Sequence, residues 1–157
     1  MAQGGILGNG TKVGYSASSP VSFLNVPQVT DVVFPTYIAD DVNIDTHSVT
    51  NKLHRKMAGL IEVGNAQVTM LSDPDPATAA ALAFFEARNT DGTSFWLRIE
   101  RPANRARSSF FGIVFQCNVK SIQHQTPIND AQKTVVEFQF DGESIQKDSA
   151  VGASQIS

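Results

Sequence analysis

The stretch from 108 to 125, SSFFGIVFQCNVKSIQHQ, reads as one long β-strand and constrains the fold more than any other part of the chain. A short polar connection, TPINDAQ, follows it, and then a second β run, KTVVEFQFDGES. Together they predict a long antiparallel pair. In the second run Thr134, Val136, Phe138 and Phe140 share one face, while Val135, Glu137, Gln139 and Asp141 share the other. That alternation is the mark of a half-buried strand. The first run carries Phe110, Phe111, Ile113, Val114 and Phe115 almost without interruption. It therefore needs cover on both sides over part of its length, from a helix or from a neighbouring subunit.

Other segments show the same period. TKVGYS is a short strand, and PVSFLNVPQVTDVVFP holds two short strands or one interrupted at Pro27, since proline cannot donate to a central ladder. IEVGNAQVTML, 61 to 71, reads as a strand with Ala66, Val68 and Met70 on one face, and Gly64 marks a bulge or a close approach. In TSFWLRIE, Phe95, Leu97 and Ile99 face one way and Trp96, Arg98 and Glu100 the other. The period changes only in DPDPATAAALAFFEARN, where a helix is predicted over 74–89. Asp73 or Asp75 can cap it, proline suits its first turn, and Thr78, Ala81, Leu82 and Phe85 form its buried side. Six to nine strands and one helix predict a mainly β fold, a sandwich or small barrel with a flanking helix.

Composition limits the functions open to such a fold. A chain of 157 residues suits one domain. The single cysteine, Cys117, excludes an internal disulfide and a thiolate metal site, and its place in a strand pattern suggests a buried hydrophobe. Charged residues make up 17% of the chain against roughly 25% in an average domain, which leaves neutral surface for protein contacts. A net charge of -3 argues against a nucleic-acid clamp. No apolar run is long enough to span a membrane, and MAQGGILGNG lacks the basic and apolar regions of a secretory signal. Residues 1–10 contain four glycines and read as a flexible arm. The tail KDSAVGASQIS is small and polar and is expected to be mobile, as a C-terminal arm over 144–157.

No catalytic, cofactor or metal site is predicted. His47 and His54 lie too far apart for an H-E-x-x-H pair, and GNGTK lacks the spacing of a phosphate-binding loop. No G-x-S-x-G elbow is present. Cys117 and His124 sit on one strand, over roughly 20 Å apart if it is straight. Arg98, Arg101, Arg105 and Arg107 form the basic cluster of the chain, and Arg101, Arg105 and Arg107 are read as an inter-subunit patch that fixes register. The stretch TYIADDVNIDTHSVTNKLHRKMAGL has no clean period and reads as a long projecting loop or hairpin arm over 39–60.

The order of these segments resembles the tail tube (major tail) proteins of long, non-contractile-tailed bacteriophages. GNGTKVGYS, IDTHSV, RKMAGLIEVGNAQVTM, DPDPATAAALAFFEA, TSFWLRIE and FFGIVFQCNVKSIQHQTPINDAQKTVVEFQFDGE follow in the expected sequence, covering roughly residues 8 to 143. The most specific are GLIEVGNAQVTM followed by an Asp/Pro-started helix, and the run from Ser121 to Ala131. The resemblance implies a tail tube β domain over 11–143. It implies hexameric rings of this chain, stacked around a tape measure protein and joined to tail terminator and tail tip proteins. DNA would pass through the lumen without specific binding. The protein would be made in the host cytoplasm and reside in the virion tail, without an added immunoglobulin-like domain. The arm would reach toward the adjacent ring through Asp40, Asp41, Asp45, His47, His54, Arg55, Lys56 and Met57. Glu137, Gln139 and Asp141 are expected to line the lumen, with Arg98 and Glu100 on the strand of Trp96 as the competing candidates. The inner tube of a contractile tail or secretion-like device, and a tail terminator, are the alternative readings.

Overall fold

The computed structural model describes residues 10–18, 20–43, 56–72, 75–142 and 145–156. These form ten strands and one helix: β1 (Lys12–Ser16), β2 (Leu24–Asn25), β3 (Val29–Val33), β4 (Tyr37–Asn43), β5 (Lys56–Val63), β6 (Ala66–Leu71), α1 (Pro76–Asp91), β7 (Phe95–Pro102), β8 (Phe110–Gln125), β9 (Lys133–Phe140) and β10 (Gln146–Lys147). Eight strands make one sheet in the order β2-β1-β7-β8-β9-β6-β3, with β10 added on β8. β4 and β5 form a separate two-stranded sheet.

The long predicted strand is β8, and it is shared. Its first half, Phe110 to Cys117, pairs with β7, and its second half, Cys117 to Gln125, pairs with β9. The register with β9 slips between Val119 and Ser121, a bulge that bends the strand. The bend brings the two wings of the sheet around a single core. Val13 and Tyr15 of β1, Phe95, Leu97 and Ile99 of β7, and Ile113 and Phe115 of β8 meet Val68 and Met70 of β6 and Val136 and Phe138 of β9. The result is a mainly β, sandwich-like fold with one flanking helix.

The helix closes the core with Thr78, Ala81 and Phe85. The Phe85 ring lies 5.3 Å from that of Phe138 and 6.0 Å from that of Phe95, and Phe95 and Phe138 are 5.9 Å apart. One ring from the helix and one from each wing thus interlock in tilted and edge-on contacts, the arrangement aromatic quadrupoles favour. The helix starts at Pro76, two residues later than expected, and runs through Asp91 to a left-handed Gly92 cap. Asp75 occupies the N-cap without a side-chain capping bond, and Pro76 takes the first helical position, where its missing N–H costs nothing.

Two expectations require correction. Residues 61 to 71 are not one strand. The chain leaves β5 at Val63, passes Gly64, whose N–H donates to the Thr36 carbonyl at 2.7 Å, and enters a different sheet at Ala66. The tail over 145–156 is packed on the body, as described below. The alternations of β6 and β9 are as expected, with Thr134, Val136 and Phe138 buried and Gln139 and Asp141 exposed.

Replacing Phe138 by alanine should cost about 3–5 kcal/mol of unfolding free energy, because the ring leaves a cavity among Phe85 and Phe95. Gln139→Ala, one residue on and exposed, should change it by less than about 0.5 kcal/mol. Urea denaturation followed by tryptophan fluorescence measures both, and equal midpoints for the two variants would contradict the core assignment.

Candidate assembly surfaces

The sheet has two outer faces of opposite character, and the sequence concealed one of them. On the β1–β7–β8 wing the outward side chains include Trp96, Arg98 and Glu100, an arrangement that reads as wet. Arg98 and Glu100 are instead 2% and 0% exposed. The chain's own C-terminal segment covers them. After β9 it continues along the free edge of β8: the Asp141 N–H donates to the Gln116 carbonyl, β10 pairs with Val114 and Ile113, Asp148 N–H donates to Gly112, and Phe110 and Gly152 exchange two bonds.

Charge and shape both hold this cover in place. The Arg98 guanidinium donates to both carboxylate oxygens of Asp148, at 3.2 and 2.7 Å. Asp148 also accepts the Gly112 N–H at 3.0 Å. Gly112 is required here, since a Cβ would collide with the Arg98 guanidinium. Glu100 Oε1 lies 3.4 Å from Arg98 Nε and accepts the Ser154 hydroxyl and the Gln155 N–H, each at 3.1 Å. Among the described residues, Glu100 Oε2 has no hydrogen-bond partner. The segment ends with Ile156 buried against Phe23 and Val114, beside Trp96. Gly14 gives it room, because a Cβ there would stand 2.9 Å from both Ile156 and Phe23. The apolar excess of β8 is thus covered on one side by the main core and on the other by this second small cluster. Arg98 and Glu100 are corrected from lumen candidates to buried partners of the C-terminal segment.

The outer face of the other wing is more open among the described residues. Gln139 and Asp141 are exposed, and Glu137 is half-buried. Glu137 accepts hydrogen bonds from the Asn65 amide at 2.8 Å and the Ser121 hydroxyl at 3.3 Å, tying β9 to the start of β6 and to β8. The Ser94 hydroxyl donates to Asp141. Gln67, Ser121 and Asn118 pair with these positions on the neighbouring strands, so the face is polar with acidic groups along it.

The predicted arm begins and ends as the β4–β5 hairpin. Asp40 and Asp41 are exposed on β4, where the pairing slips between Ala39 and Asp41. Lys56 and Met57 lie on β5 opposite Asn43 and Val42. Asp45, His47, His54 and Arg55 lie outside the described residues. The hairpin displays apolar side chains, with Leu60 83% and Ile61 67% exposed, beside the exposed Tyr37 and Ile38. Arg101, Arg105 and Arg107 are exposed at and after the end of β7, in a connection organised by Asn104, whose side chain accepts the N–H groups of Ser108 and Ser109. Arg101 lies over the Phe111 ring at 5.4 Å.

Among the described residues, no group of three or more His, Cys, Asp or Glu side chains could hold a metal ion. Cys117 is buried, and that burial, with Asp141 nearby, pushes its thiol pKa far up, so it is a poor nucleophile. His124 engages Thr134 and lies 3.6 Å from Glu86, away from Cys117.

No protein-family model matches this sequence, and no curated protein matches it. Solved structures do match in fold. A chain of the sixfold-symmetrised anti-feeding prophage baseplate superposes with a TM-score of 0.66 at 8% identity, over 93% of this chain and 97% of that one. The SPP1 tail tube gives 0.62 at 12% identity, over 92% and 80%. The tail of an empty gene transfer agent particle, determined with C6 symmetry, gives 0.60 at 11% identity, over 98% and 99%. The chain therefore has the fold found in tail-tube and related tail proteins.

The Arg98 hydrogen bonds hold the Asp148 pKa below the usual carboxylate value, with Gly112 contributing. A depressed folded-state pKa adds stability that is fully present above the unfolded value of about 3.9 and is lost as pH falls through the folded value. Asp148→Asn should remove that acid-dependent contribution. Asp148→Ala should cost about 3 kcal/mol or more, since it leaves Arg98 buried beside Glu100 without its second partner. Denaturant titrations at pH 7 and at pH 3 measure both, and an unchanged pH dependence in Asp148→Asn would contradict the assignment.

Proposed function

We propose that this chain is a structural subunit of a phage-type tail tube, forming stacked hexameric rings around a tape measure protein and a channel for DNA. The β4–β5 hairpin carries the proposal. An isolated two-stranded sheet is marginal in water, and this one displays Leu60, Ile61, Ile38 and Tyr37 without covering them. It suits burial against another copy. The fold likeness to chains in sixfold assemblies supports the same reading.

In this reading the arm over 39–60 reaches the adjacent ring, with Asp40, Asp41, Lys56 and Met57 at its described ends and Asp45, His47, His54 and Arg55 beyond them. Residues 1–10 act as a second contact arm. The more open face with Glu137, Gln139 and Asp141 lines the lumen. It is the outer sheet face that the C-terminal segment leaves open, and its acidic groups let a polyanion slide rather than bind. Arg101, Arg105 and Arg107 meet acidic groups of a neighbour. Terminator and tip proteins close the ends of the tube.

A terminator role is the second reading, favoured by the likeness to the anti-feeding prophage cap, a tube terminating cap, with a TM-score of 0.65 at 13% identity. Electron microscopy of the concentrated protein separates the two. A tube subunit gives sixfold rings that stack into hollow tubes, and a terminator gives rings that stay single. A protein that remains monomeric at every concentration, including when mixed with its tail tip proteins, contradicts both.

A further inference from the structure

The tip of the β8–β9 hairpin and a cleft at the far end of β8 are complementary. At the tip, Ile128 is 98% exposed, the most exposed of the large hydrophobic side chains described. It precedes Asp130, which is exposed, accepts the Ala131 N–H at 2.8 Å and lies 3.7 Å from Lys133. The cleft is walled by Phe34, Pro35, Tyr37, Phe111 and Ile113, with Arg101 and Lys147 at its margin. Its volume is about 240 Å³, larger than the ~150 Å³ apolar cavity that admits a benzene-sized guest. Arg101 rests on the Phe111 ring, and Lys147 lies 4.6 Å from the centre of the Tyr37 ring, so both cations are held beside the apolar opening. Among the described residues, no carboxylate lines it.

We propose that Ile128 of one copy enters this cleft on a second copy, with Asp130 meeting Arg101 and Lys147. The charges match in sign, and the apolar knob matches the apolar walls. A copy cannot fill its own cleft. Ile113 lies near the start of β8 and Ile128 beyond its end, so both arms of the bent strand separate them, roughly 20 Å from Ile113 to the bulge and at least ~13 Å from Ser121 to Gln125. The two surfaces differ, so the contact is head-to-tail, and repeated head-to-tail contacts along a strand axis propagate instead of closing on themselves. The cleft includes Tyr37, the root of the β4–β5 arm, so arm and cleft face the same neighbour. The inference rests on the tube reading and deepens it: this is a contact between successive rings.

The test uses the full chain. Ile128→Asp alters a fully exposed side chain and should leave the circular dichroism spectrum and melting temperature unchanged. It should raise the protein concentration needed for tubes by about tenfold or more, the loss expected of a buried anchor, while single rings persist. Asp130→Arg should weaken stacking, and Asp130→Arg combined with Arg101→Asp should restore part of it. Tubes of Ile128→Asp at the parent concentration would overturn the contact and leave the tube reading intact. A second measurement does not need tubes. Ile128→Cys chains mixed with Tyr37→Cys chains should give a disulfide-linked pair above the level of either alone. Cross-linking without tubes in the parent upholds the contact and overturns the tube reading. Tubes without cross-linking do the reverse.

Discussion

Everything in this fold depends on one strand carrying two partners in succession. β8 gives its first half to β7 and its second half to β9, with a bulge between Val119 and Ser121 where the pairing slips. Without that slip the two ladders would lie in one open sheet, and their apolar faces could not meet. With it, Phe95 and Phe138 approach from opposite wings and Phe85 completes the contact from the helix. The same bend fixes which faces point outward. The outward faces therefore follow from how the core is closed, and the candidate lumen wall on β9 and the covered face on β7 are two results of one geometric choice.

The β7 face shows how a chain can bury charge without chemistry. Arg98, Glu100 and Asp148 form a chain of ion pairs beneath the C-terminal segment. Such an arrangement gains little over an apolar equivalent, because desolvation offsets most of the attraction. What it adds is selectivity. Only a segment presenting a carboxylate near Gly112 and donors near Glu100 can sit there, so the edge of β8 is closed by one sequence in one register. An unprotected strand edge invites pairing with any other chain, and here it is occupied before a wrong partner can reach it.

The parts legible in the sequence were those where one residue's neighbours along the chain decide its environment. Period-two alternation located β6, β7 and β9, and alanine-rich composition with prolines at its start located α1. Where long-range contacts decide, local pattern misled. Trp96, Arg98 and Glu100 alternate with apolar residues as a solvated face should, and only a segment some fifty residues later covers them. That segment looked unstructured because small polar residues surround its two anchors, Asp148 and Ile156. The nearly continuous apolar run at Phe110 to Phe115 was the available signal, since it demanded cover on both sides. Its second cover was sought in a helix or another subunit and lay in the same chain. The break at Gly64 was hidden for a similar reason. Apolar residues continue through it, and the change of sheet is set by the Thr36 carbonyl, just before β4 and far away in sequence.

The bridge between Phe23 and Ile156 joins residues from nearly opposite ends of the chain. Contacts so distant in sequence form late, after the local hairpins they rest upon. Until the segment from Asp148 to Ile156 docks, Arg98 and Glu100 face water and the edge of β8 stands open. Sealing of the β7 face is thereby a separate, late step, and a chain cut just before Asp148 would carry the main hydrophobic core but expose a charged, unpaired strand edge.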